Sequence, residues 1–443
     1  MKKVFVVALA AVLLLSFCAC GSKAPSAAEN TPAGADVSAS TEGSGAGAEN
    51  VELRVAWWGG QSRNDKFNKM FDEYEKEFPN VKIIREFNNE AQFVEKVTTE
   101  SAGGNAPDVF QASSFYLDDF IERNMYRAID DLVTSGDISL SNFEKVDVDA
   151  GQKNGKQYLV LWGHILTGII YNTDRMEKMG VALPQDDWTW DQYVRTLKDI
   201  QKNLENGTWA TEDEGGLYRV FECYAQMKGK SLFKDNALGV DKTDLTEWFN
   251  MWTELRKAGV VPPASIQNEQ GGKTLEQSML ARDKVMMMST SSNQLVTFQG
   301  ISKDELNIVS YPWINGAVKQ TPLIASGVGI SSNCKRVKEA AQLINWLVNS
   351  EKAQAVFLAE HGQPTSKKMQ EFFKPLANEA QLKEDAYFKA MQPEIVPYPQ
   401  QPAGSNSVKT LLTSENEAIA FGTKTVEEAV NDFIAQAGQI LQR

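Results

Sequence analysis

Histidine and cysteine are scarce in this chain, with two of the first and four of the second among 443 residues. His164 and His361 are far apart in sequence, so a histidine-based metal site lacks its donors. Cys18 and Cys20 fall within the first twenty residues. Cys223 and Cys334 are distant from them and from each other, with neither disulfide-framework nor zinc spacing, so two separate buried thiols are expected. No G-x-S-x-G, H-E-x-x-H or phosphate-loop pattern stands out. An excess of positive charge is missing too. The net charge is −13, which repels phosphate backbones and argues against a nucleic-acid partner.

What is present is a long, mixed, soluble-looking chain. Its length exceeds one ordinary core and suits two lobes. Hydrophobic residues make up 42% and charged residues 23%, as expected of a globular protein. The first twenty residues are an exception. Lys2 and Lys3 precede an apolar run from Val4 to Phe17 of signal-peptide length, too short for a lone membrane span. The run ends in Phe17-Cys18-Ala19-Cys20-Gly21-Ser22, which resembles the lipobox of bacterial lipoproteins. That resemblance implies a signal peptide over 1–19 and a lipidated, palmitate-bearing Cys20, because small Ala19 precedes Cys20 and bulky Phe17 precedes Cys18. The segment from 21 to 50 is almost entirely Gly, Ala, Ser, Thr, Pro, Asn and acids. It cannot form a core, and as a flexible tether it reaches about 30 Å.

From Val51 the pattern changes. Val51, Leu53 and Val55 alternate with polar residues, which is strand period. Trp57-Trp58-Gly59-Gly60 reads as the loop at that strand's carboxyl end. Phe67, Met70, Phe71, Tyr74 and Phe78 follow at helical spacing until Pro79. Val81–Ile84 is a second strand, Phe93, Val94 and Val97 mark a helix, and Asp108-Val109-Phe110 opens a third strand. Strand and helix in alternation predict a parallel α/β sheet, whose ligands bind beyond the carboxyl ends of the strands.

Gly104-Asn105-Ala106-Pro107-Asp108-Val109-Phe110 resembles the G-x-x-P-D-V signature of the extracellular solute-binding protein family 1, the maltose-binding-protein-like group. Gly155-Lys156-Gln157-Tyr158 and Gly168-Ile169-Ile170-Tyr171-Asn172-Thr173-Asp174 resemble its next landmarks, and similarity resumes over 325–364 and 425–441 in the family's order. The resemblance implies a two-lobed α/β fold of the periplasmic-binding-protein type II, with the ligand in the interlobe cleft. It places 51–163 with about 318–358 in a first lobe, and about 164–317 with 359–443 in a second. Three crossings between lobes would form a hinge that closes on ligand.

In the second lobe, Thr189-Trp190-Asp191-Gln192 and Thr425-Val426-Glu427-Glu428 are capping-box patterns opening helices. Trp248 and Trp252 sit on a helical stripe and read as core. Val285–Met288 is a buried strand candidate running into Ser289–Asn293, where relatives often carry a stacking tryptophan and this chain has small polar residues. The Gly404-Ser405-Asn406 stretch likewise lacks the aromatics of many relatives.

A carbohydrate offers flat apolar faces and a rim of hydroxyls, so its site needs aromatic rings and planar polar groups at strand ends. Those criteria select Trp57, Trp58, Gln61, Arg63, Gln92, Ser113, Ser114 and Tyr116 in the first lobe. Trp162 and His164 lie at the first crossing, Ser291 and Asn293 after the buried strand, Trp313 at the next crossing, and Tyr398 in a proline-rich extended segment. Arg63 is the sole basic residue expected near the site, which weighs against a strongly anionic ligand.

The resemblance implies an exported lipoprotein on the outer face of the cell membrane. It would be a monomer without a cofactor, capturing a mono- or oligosaccharide and handing it to the permease of an ABC importer. The same scaffold could take a polyamine, phosphate ester, peptide or iron complex, or serve an adhesin or sensor. A glycan-degrading enzyme would need two carboxylates across the cleft, and Asp118 and Asp119 are sequence neighbours.

Overall fold

The computed structural model describes residues 49–270 and 275–442. The leader 1–19, Cys20 and the tether as far as residue 48 lie outside the described residues. No described helix is long and apolar enough to cross a membrane.

Strand β1 (Val51–Trp58) pairs in parallel with β2 (Val81–Asn88) over its whole length and with β3 (Val109–Ser113) at Val55 and Ala56. Strand β4 (Leu159–Ile165) completes the first pass through this sheet. The chain turns at Leu166 into a second sheet. Its strands are β5 (Thr167–Asn172), β6 (Trp209–Thr211), β7 (Val285–Ser291) and β8 (Leu306–Ser310), in the order β8-β5-β7-β6. The ten-residue β9 (Thr321–Ile330) then returns to the first sheet, antiparallel to both β3 and β4. The short extended β10 (Ile395–Pro397) pairs with the first three residues of β9.

Both faces of the first sheet are covered, as parallel sheets require. Val51, Leu53, Val55 and Trp57 point to one core, shared with Phe67 and Phe71 of the helix Gln61–Glu77 and with the helix Val337–Asn349. Ala56 and Trp58 point to the other, with Phe93, Phe110 and Phe120. The second sheet has its own larger core, in which Ile169, Ile170, Met287, Trp248 and Trp252 are buried. Trp248 and Trp252 thus occupy the core, as their helical stripe requires. Both capping boxes form. Thr189 caps the helix Trp190–Gln201 and Thr425 caps Val426–Leu441, each with the reciprocal bond from the third helical residue. Cys223 and Cys334 are free, the first of them buried.

Where β4 leaves the first sheet, the backbone of His164 exchanges two hydrogen bonds with Gln363, at 3.1 and 3.2 Å. The contact needs glycine on both sides. A Cβ on Gly163 would stand 2.3 Å from the His361 carbonyl oxygen, and one on Gly362, where φ is +90°, 2.3 Å from that of His164. Just upstream, Leu358 and Ala359 are both left-handed, with φ of 50° and 55°.

Candidate functional site

Two adjacent tryptophans end β1, and the pleat sends them to opposite faces. Trp57 is 1% exposed and packs on Phe67 at 4.9 Å and Phe71 at 5.4 Å. Strand period therefore runs two residues further than the loop expected there, and Trp57 is a core residue rather than a ligand group. Trp58 is 8% exposed, lies 5.0 Å from Phe93 and meets Tyr116 edge-on at 6.1 Å. Tyr116 donates its hydroxyl to Glu90 at 3.0 Å.

The remaining candidates divide in the same way. Trp162 is a core residue: its indole donates to Ser326 Oγ at 3.1 Å and its ring stacks on His361 at 4.7 Å. Burial, helped by the charges of Arg63 and Lys66, drives the His361 pKa well below the usual histidine range, so that ring is neutral. His164 is buried as well. Its Nδ1 lies 2.8 Å from Asp147 Oδ1 and its ring stacks on Phe388 at 4.0 Å. Trp313 donates to the Asp186 carbonyl at 2.6 Å from within the second core. These three side chains serve the crossings between the sheets, and none is accessible as a stacking surface. Gln61 is exposed and bonds Asp65, and exposed Gln92 donates its backbone N–H to the cap residue Asn89.

Ser113, Ser114, Phe115 and Tyr116 follow one another at the end of β3. Ser114 Oγ accepts from the Ala325 N–H at 3.0 Å, tying this end to β9, and Ser113 Oγ accepts from Phe115 N–H. Arg63, in the first turn after β1, is half-buried with Glu360 Oε1 3.5 Å from its Nε, and Lys66 shares that carboxylate. Asn293, just past β7, donates to the Glu360 carbonyl at 3.2 Å, while its own Oδ1 is buried without a partner. Ser291 is half-buried at the end of β7. Its neighbour Ser292 donates to Glu384 at 2.9 Å, and burial pushes the Glu384 pKa up to about 8.

The ends of β3 and β10 also meet. Phe115 and Tyr398 pack edge-on at 5.2 Å. Asp118 Oδ2 accepts from the Gln401 N–H at 2.8 Å, and Gln401 Nε2 donates to the Tyr218 hydroxyl at 3.0 Å. Lys409 sits over the Tyr218 ring at 4.7 Å and the Phe115 ring at 5.7 Å. Phe115, Tyr218, Gln401, Lys409 and neighbouring Arg219 were not singled out in the sequence. Tyr218 and Arg219 open a helix (Tyr218–Met227) whose residues are mostly buried, so periodicity marks it as core. The useful signal was the Gly215-Gly216 pair before it, where the backbone is crowded by Asn416 and Trp252 and leaves the next residues at a turn.

A family model described as bacterial extracellular solute-binding protein matches residues 69–390. A lactose-binding protein of Rhizobium radiobacter is 26% identical over 189 residues, covering 42% of this chain and 38% of the relative's own length. An ABC substrate-binding protein of Listeria monocytogenes in complex with cycloalternan superposes with a TM-score of 0.78 at 20% identity, over 89% of this chain and all of that one. A periplasmic oligogalacturonide-binding protein of Yersinia enterocolitica, in complex with saturated digalacturonic acid, gives 0.79 at 20% identity over 89% and 99%. The fold is therefore that of the two-lobed periplasmic solute-binding proteins, and the chain belongs to the bacterial extracellular solute-binding family.

Proposed function

We propose that this extracellular solute-binding protein captures a carbohydrate between two lobes and delivers it to the permease of an ABC importer. The lobes would comprise 51–163 with about 318–358, and about 164–317 with 359–443. The observation that carries the reading is the concentration of aromatic rings and planar polar groups where the strand ends of the two sheets approach. Trp58 ends β1, Phe115 and Tyr116 follow β3, Tyr398 and Gln401 follow β10, Tyr218 opens a helix and Asn293 follows β7. Rings suit sugar faces, and amides and hydroxyls suit its rim. The similar proteins named for lactose, cycloalternan and oligogalacturonide support the substrate class. Binding without turnover is part of this reading.

A thermal melt against a carbohydrate panel tests it. A ligand present at 100 times its Kd adds about 2.7 kcal/mol of stability, well within detection. A shift with a mono- or oligosaccharide is expected. No carbohydrate shift beside a clear one with a polyamine or amino acid would overturn the assignment. Anchoring at the outer face of the membrane through Cys20 belongs to the same proposal. Cys20→Ala is expected to abolish palmitate incorporation, and unchanged incorporation contradicts it.

A further inference from the structure

We propose that the captured carbohydrate is negatively charged, and that its oxyanion is held between Arg219 and Lys409 beside the Tyr218 and Phe115 rings. The proposal rests on the carbohydrate reading and deepens it.

Three observations support it. Arg219 makes no hydrogen bond or ion pair among the described residues and its Nε is buried without a partner, with Glu212 and Glu214 feeling its charge from further off. Its charge is nevertheless felt at the hydroxyl of Tyr398, which packs on Phe115. Lys409 makes no ion pair among the described residues, and the charge of Glu222 reaches it only from further off. Its ammonium has a 3.4 Å contact to the Asn406 amide oxygen and otherwise faces two aromatic rings. Burial lowers its pKa to about 8, outweighing the opposing pull of Glu222. The third observation is the backbone. Arg219 and Lys409 lie near the amino ends of two packed helices, Tyr218–Met227 and Ser405–Ala420, and neither helix has a side-chain cap. Helix amino termini carry partial positive charge and attract anions.

The nearby acids act on the two cations only from beyond ion-pair distance, Glu212 and Glu214 on Arg219 and Glu222 on Lys409. Glu214 is committed to Ser289, with its pKa pushed up to about 7 by burial, and Glu222 accepts from the Leu232 N–H and from Gln226. Glu212 also has its pKa raised by burial. By contrast Arg63, the cation picked out by sequence position, is already paired with Glu360. Two cations without an ion pair beside aromatic rings offer an oxyanion a local partner that a neutral sugar would leave unused. The shared chemistry is an oxyanion on a carbohydrate, whether carboxylate, sulfate or phosphate.

The test is calorimetric titration of the protein with digalacturonate, galactose 6-sulfate and glucose 6-phosphate, alongside neutral digalactose and maltose. At least one charged sugar is expected to bind about tenfold or more tightly than the neutral ones, and its identity names the oxyanion. Arg219→Gln and Lys409→Gln are each expected to weaken that sugar by about tenfold while leaving the melting temperature unchanged. Neutral sugars binding as tightly as every charged one would overturn the inference and leave the carbohydrate reading intact. A charged sugar unaffected by both substitutions would overturn it too, since the anion would then be held elsewhere. Failure of all five sugars, with saturation by a non-carbohydrate, would overturn both.

Discussion

Arg63 and Arg219 occupy equivalent places in two different parts of the molecule. Each stands in the first turn of a helix, where the macrodipole disfavours a cation. Arg63 has Glu360 3.5 Å away to offset that cost, in a carboxylate shared with Lys66, and its surroundings reach on to Asn293. Arg219 has no carboxylate at that distance, and Glu212 and Glu214 act on it only from further off. One charge is therefore part of the scaffold that holds the crossing segment near residues 358–363. The other makes no ion pair among the described residues, as the proposed contact with an anionic sugar requires. The two tryptophans at the end of β1 face opposite cores one residue apart, Trp57 deep against Phe67 and Phe71 and Trp58 at the margin of the other against Phe93 and Tyr116.

The largest expected effect comes from that second pair. Trp57→Ala should lower stability by about 3–5 kcal/mol, because it empties a fully buried site against Phe67 and Phe71. Trp58→Ala should cost less stability and more ligand affinity. Chemical denaturation of both variants beside ligand titration would show whether the two roles separate.

Glu384 sharpens the contrast on the scaffold side. Its pKa is about 8 in the fold against 4.5 for an ordinary glutamate. Between those values the native state holds a proton that the unfolded chain has released, so its contribution to stability is full below pH 4.5 and is lost as pH rises through 8. Glu384→Gln removes the titration. Its stability relative to wild type should climb between pH 5 and 8 by on the order of 3 kcal/mol, read from melts at several pH values. A pH-independent difference would show that the carboxyl is ionised throughout.

Glu360→Ala should cost about 2 kcal/mol, since it leaves half-buried Arg63 and Lys66 without their carboxylate. Thr425→Ala should cost about 1 kcal/mol through loss of the capping box on Val426–Leu441. Arg219→Gln should change stability by less than about 0.5 kcal/mol, or raise it, in the absence of ligand. A large loss on Arg219→Gln would erase the distinction between the two arginines. Urea unfolding reads all three.

The order of the elements was legible because its signals are local. Thr189 and Thr425 announce their helices through a residue three places on, and Val51, Leu53 and Val55 announce β1 by alternation. Continued two residues, that alternation would also have put Trp57 with the core and separated it from Trp58. The proposed site is less legible because it is made by distant segments. Phe115 and Tyr398 are in contact across nearly three hundred residues of sequence, and so are Asp118 and Gln401. No periodicity reports that Tyr218 and Arg219 lie where a core helix emerges beside another sheet's strand ends. Trp162, His164 and Trp313 misled for the converse reason. The crossings run between the two sheets, but their side chains are used up in holding the segments there.

The central claim is that carbohydrate is held at the strand ends beside Trp58 and not at the buried aromatics of the crossings. Calorimetric titration of the carbohydrate that shifts the melt most, into wild type and Trp58→Ala, tests it most directly. One saturable site per chain is expected, with affinity reduced about tenfold or more in the variant. Undiminished affinity in Trp58→Ala, or no saturable carbohydrate site in wild type, would contradict it.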